Sequence, residues 1–175
     1  MINKEYLLDL SQLELDRILY RNKDEESVNF AINKGIESYH NFYDSSLSLK
    51  GNLAKLGIVE VRKMNAKERF VFNCRSYYFI DEKIILYNLR QTKKIQAILK
   101  DYEFDFSIEE ILNMQIAHEL YHHLEEHYLP LKEYDLILRD IAAQSFAYMV
   151  NKTIHNEIID ILWIDSANEY IQNNQ

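Results

Sequence analysis

The sequence predicts an α+β domain, with helices packed around a small three-stranded antiparallel sheet and one buried helix at the centre. Three observations predict it. Apolar residues recur at helical spacing over 3–20, 26–44 and 90–101. The period shortens to two over 58–88. The segment after Ser107 is helical in pattern but apolar on nearly every side, which is the mark of a helix inside the fold.

Taken in order, Leu7, Leu8, Leu10, Leu13, Leu15, Ile18 and Leu19 give the first helix its apolar face. The polar run Arg21-Asn22-Lys23-Asp24 separates it from the second. Gly51 and Gly57 bracket a short apolar segment and mark turns. In the period-two region, Val59 and Val61 alternate with Glu60 and Arg62. Phe70, Phe72 and Cys74 alternate with Val71, Asn73 and Arg75, and Ile84 and Leu86 with Ile85 and Tyr87. Asn65-Ala66-Lys67-Glu68 and Asp81-Glu82 read as connections, which makes an antiparallel meander. Ser107-Ile108-Glu109-Glu110 is a capping box that opens the central helix, and no Gly or Pro interrupts it before Tyr128. Pro130 opens a further helix running to about 151, and a last one covers 154–171.

The length fits one domain over 1–175, and 47% hydrophobic residues with 13% aromatics place the chain among globular proteins. A net charge of −8 argues against direct nucleic-acid binding. Cys74 is the single cysteine, so no internal disulfide forms. Strand core is its expected role. The N-terminus lacks the basic start and apolar run of a signal peptide, and no apolar stretch is long enough to span a membrane. These features predict a cytoplasmic protein.

The central helix carries Ile116-Ala117-His118-Glu119-Leu120-Tyr121-His122, which contains H-E-x-x-H. Histidines four apart on a helix point the same way, one turn above the other, and can offer two ligands to one zinc ion. The glutamate beside the first then overhangs the metal's water as a proton acceptor, so the motif implies a zinc-dependent hydrolase. His123-Leu124-Glu125-Glu126-His127 fits the inverted motif H-x-x-E-H, on a face about 140° away. The first register is favoured because its flanks are more apolar and it lies deeper in the helix. His123 and His127, beside Glu125 and Glu126, read as a solvated, charged face.

Such a site needs a third protein ligand. Glu126 is eight residues from His118, about 12 Å along the axis, and cannot share the ion. Asp140 can, from a second helix, because Ala143 and Ala147 at i+3 and i+7 let that helix approach closely. Glu133 and Glu157 are the reserves.

His118-Glu119-Leu120-Tyr121-His122 followed by Asp140-Ile141-Ala142-Ala143-Gln144-Ser145-Phe146-Ala147 resembles the ImmA/IrrE-type zinc metallopeptidases. In that family an A-H-E-L-x-H helix is followed by one bearing E-x-x-A-x-x-F-A. The resemblance covers roughly residues 70–150 and implies a zincin-like fold. It implies zinc held by His118, His122 and Asp140, with Glu119 as general base. Asp140 stands where the family has the longer Glu, Tyr121 where Gly is frequent, and Tyr148-Met149-Val150-Asn151 at the usual leucine- and proline-containing end. Family members are intracellular and cut a helix-turn-helix repressor, so the resemblance implies a protein substrate of that kind. The alternative is a catalytically weak or inactive interaction module on the same scaffold. Tyr121, Tyr134 and His155 are candidates for stabilising an oxyanion.

Overall fold

The structure, a computed structural model, describes residues 25–72, 74–101, 105–129 and 136–151. The helices expected over 3–20 and 154–171, and residues 130–135 of the helix expected from Pro130 to about 151, lie outside the described residues.

Helix α1 spans Glu25–Phe42 and buries Ala31, Ile32, Ser38 and Tyr39. A short helix, α2, Leu49–Lys55, follows a loop organised by the fully buried Asn52. The Asn52 amide donates to the carbonyls of Asp44 and Ser48, and its oxygen accepts from the Asp44 N–H. Strand β1 is Glu60–Lys63, helix α3 is Ala66–Phe72, and strands β2 and β3 are Ser76–Phe79 and Ile84–Tyr87. Helices α4, Leu89–Asp101, α5, Ile108–His127, and α6, Leu136–Val150, complete the described chain.

The three strands form one sheet, but it is mixed and not the expected antiparallel meander. Its order is β1-β3-β2. β3 lies in the middle, parallel to β1 (Glu60 opposite Ile84) and antiparallel to β2 (Ser76 opposite Tyr87). The cause lies at 65–72. Asn65 and Glu68 form a reciprocal cap, the Glu68 N–H donating to Asn65 Oδ1 and the Asn65 N–H to Glu68 Oε2. That cap starts a helix where Phe70 and Phe72 suggested a strand. The apolar alternation did not mark burial, since Phe70 is 88% exposed and Val71 60%. With a helix between them, β1 and β2 are not a hairpin, and β1 pairs with β3 instead. Cys74 is half-buried just ahead of β2, not within a strand as expected. Burial pushes its thiol up to about 11, so it is not a reactive thiolate.

The capping box at Ser107 is present as expected, with Ser107 Oγ accepting from the Glu110 N–H and Glu110 Oε2 from the Ser107 N–H. The helix it opens is central. Ile111, Met114, Ala117, Leu120, Tyr121 and Leu124 are buried, and α5 touches α1, α2, α4, α6, β2 and β3. Thr92 Oγ1, donating to Gln115 Oε1, pins α4 to it. No described helix is long and apolar enough to cross a membrane.

Helix α1 lies against α6 through Gly35, where a side chain would meet the Ala142 carbonyl. Phe146 of α6 packs edge-on against Tyr39 of α1 and Tyr43 just after it. This packing fixes α6 on α1 while its other side faces α5.

Candidate metal centre

His118 and His122 stand one turn apart on α5, their ring centroids 4.8 Å apart. Their Nε2 atoms face each other at 3.1 Å. Asp140, on the adjacent turn of α6, brings Oδ1 to 3.4 Å from His122 Nε2 and 3.7 Å from His118 Nε2. The alanines that follow Asp140, Ala143 and Ala147, are fully buried, as close packing of the two helices requires. Among the described residues, these three are the group of His, Cys, Asp and Glu whose ligand atoms gather within 4.8 Å of one another.

The donor set fits zinc. Four ligands at 2.0–2.1 Å in a tetrahedron stand about 3.3–3.4 Å from one another. The distances here, 3.1, 3.4 and 3.7 Å, bracket that edge. Two imidazoles and one carboxylate from two helices would leave one position of a tetrahedral ion open.

The two rings differ in charge. Burial holds the His118 imidazole down to about 3, and the neighbouring His122 adds to the effect, so it is neutral with a lone pair to give. Burial also opposes charge on His122, but hydrogen bonds to Asp140 and Glu125 outweigh it and push that ring up to about 10. Asp140 is exposed at the cleft, and against some desolvation by its surroundings the hydrogen bond to His122 and the charges nearby hold it below its ordinary value.

Glu119 lies buried beside the triad. Its Oε1 accepts from Ser76 Oγ at 2.7 Å, and the Tyr78 backbone N–H also reaches the carboxylate. Burial raises its pKa above the ordinary carboxylate value. Glu119, His118, His122 and Asp140 line an open cleft of about 430 Å³ together with Ser76, Tyr77, Tyr78 and Ile80 of the β2 strand and its turn. Ser76 and Tyr77 were not legible as site residues. The strand that carries them was placed some residues too early.

Among the described residues the second histidine pair does not gather with a carboxylate, and the solvated face expected there is half present: Glu126 and His127 are exposed, whereas His123 and Glu125 are buried. His123 is fully buried. Its Nε2–H donates to the Leu56 carbonyl at the end of α2, 2.8 Å away, and burial keeps the ring neutral. Its Nδ1 therefore accepts from Tyr78 Oη at 2.7 Å, and Tyr78 Oη in turn accepts from His127 Nε2–H at 2.9 Å. This chain ties α2, β2 and α5 together and leaves no lone pair for a metal on His123. Glu125 is likewise buried. Tyr121 is fully buried against Phe146 and does not line the cleft, which removes it as an oxyanion donor. Tyr134, His155, Glu133 and Glu157 lie outside the described residues.

Comparison of the chain with family models, curated proteins and solved structures finds no match.

Proposed function

We propose that the chain is a zinc-dependent endopeptidase with a zincin-like architecture, in which His118, His122 and Asp140 hold the metal and Glu119 is the general base. One observation carries this reading. Two imidazole nitrogens and a carboxylate oxygen from two helices converge beside a buried glutamate, on the wall of an open cleft. Zinc bound there supplies Lewis acidity and a water acidified to near neutral pH.

Glu119 takes a proton from the attacking water and returns it to the leaving amine nitrogen. Burial favours that shuttle by making its carboxylate more basic, and the Ser76 hydroxyl restricts its rotation. The substrate is a protein segment. Strand β2 has one paired neighbour among the described residues, and an extended backbone can add to its other edge along the cleft. The net charge of −8 disfavours phosphate-rich substrates. By resemblance to the ImmA/IrrE-type peptidases, the substrate is a transcriptional repressor. The single cysteine accords with a cytoplasmic setting.

The test is digestion of a denatured protein mixture by the zinc-loaded chain, read by mass spectrometry of new termini, beside Glu119→Gln. New termini in the wild type alone, with equal zinc in both, are expected. None in either, with zinc bound, would favour a metal-holding interaction module.

A further inference from the structure

Behind the three donors lies a pair of charges that the chemistry above does not use. His122 Nδ1–H donates to Glu125 Oε2 at 2.9 Å, and the Glu125 side chain is 2% exposed. A carboxylate so deeply placed needs a counter-charge. Arg139 of α6 supplies it, with Nε 3.1 Å from the same Oε2 and the guanidinium's Nη2 2.7 Å from Glu126 Oε1. Arg139 immediately precedes Asp140. One guanidinium is thus tied to the carboxylate that orients one ligand and is joined through the backbone to another.

A purely structural role accounts for this poorly. Buried ion pairs contribute little net stability compared with apolar groups of the same size. Glu125 Oε1, moreover, has no hydrogen-bond partner among the described residues. The arrangement makes sense as a device for holding geometry. A ligating histidine that donates its other N–H to a carboxylate has its tautomer and ring orientation fixed, and its ligand nitrogen made more basic.

We infer that Glu125 and Arg139 are positioning residues for the metal centre. Glu125 turns the His122 ring so that Nε2 faces His118 and Asp140. Arg139 holds Glu125 in place and locks α6 against α5 one residue before Asp140. That second action matters for this chain, because an aspartate is one methylene shorter than a glutamate and has less freedom to reach. The inference rests on the zinc reading of the site.

The experiment measures zinc affinity by competition with a chromogenic chelator, together with the visible spectrum of the cobalt(II)-substituted protein. Glu125→Gln keeps the size and removes the charge, and zinc affinity should fall about 10–100-fold. Arg139→Lys keeps charge but cannot reach both carboxylates, and should give a smaller loss. Both variants should alter the cobalt bands, which report ligand geometry and not global stability. Arg62→Gln breaks a comparable fork with Glu68 away from the centre and should leave metal affinity unchanged. If the wild type binds zinc tightly and both site variants bind within twofold of it with unaltered cobalt spectra, the inference is overturned while the zinc reading stands. If Glu125→Gln fails to fold, Arg139→Lys decides on the same two readouts. A wild type that binds no zinc overturns the zinc reading and this inference with it.

Discussion

Gly35 gives two opposite expectations, and the structure decides between them. It lies inside α1, where replacing glycine by alanine stabilises an exposed helix by about 1 kcal/mol. Here the added Cβ would lie 2.2 Å from the Ala142 carbonyl oxygen, 2.8 Å from Ser145 Cβ and 3.0 Å from the Phe146 nitrogen. Ordinary contact needs about 3.5 Å, so α1 and α6 must part by roughly 1 Å. Two of the three obstacles are helix backbone and cannot rotate aside. Overpacking of this kind costs about 1–3 kcal/mol, and the upper end applies. Net of the helix gain, Gly35→Ala should destabilise by about 1–2 kcal/mol, a fall in Tm of roughly 2–8 °C for a chain of this size. Ala142 is two residues from Asp140, so the same shift should weaken zinc binding. Circular-dichroism melting with and without chelator checks both effects. A Gly35→Ala protein more stable than wild type would refute the close approach of α1 to α6.

Three further outcomes follow from the site and its frame. Asp140→Ala should weaken zinc binding strongly and Asp140→Glu should retain much of it, as read by equilibrium competition; unchanged affinity in Asp140→Ala would move the third ligand elsewhere. His123→Ala should keep zinc but lose about 1–3 kcal/mol in urea unfolding, because the Leu56 carbonyl and the Tyr78 hydroxyl each lose one buried hydrogen bond and keep only those to Tyr128 and His127. The hydrogen bonds from Arg62 and the Asn65 N–H hold Glu68 down to about 2, so its contribution to stability is complete above the unfolded value of about 4.3 and disappears as pH falls towards 2. Glu68→Gln should therefore flatten the loss of stability across that acid window, and an unchanged acid limb would count against the cap.

What could be read in the sequence was mainly local. The central helix was legible because its cap and its all-round apolar character act within one segment. Asp140 was legible because small residues at i+3 and i+7 share its face. Helix α3 was a local signal overlooked: Asn65 and Glu68 have the spacing of a capping box, but the alternation of Phe70, Phe72 and Cys74 masked it. Helix α2 was missed because Gly51, read as a turn, lies within it, whereas Gly57, at φ 90°, does turn the chain. The pairing of β1 with β3 was not legible, since it depends on contacts between elements more than twenty residues apart. Nor was the burial of His123, whose partners Leu56 and Tyr78 are distant in sequence. Glu125 beside it looked solvated for the same reason: Arg139, fourteen residues on, is what makes its burial tolerable.

In the proposed site one zinc ion sits among His118, His122 and Asp140. The most direct measurement is a crystal of the zinc-loaded protein, with diffraction data collected above and below the zinc absorption edge. A single anomalous peak about 2 Å from the Nε2 atoms of His118 and His122 and from an Asp140 carboxylate oxygen is predicted. A peak at His123 and His127, or none at all in protein shown to be folded, would contradict the account.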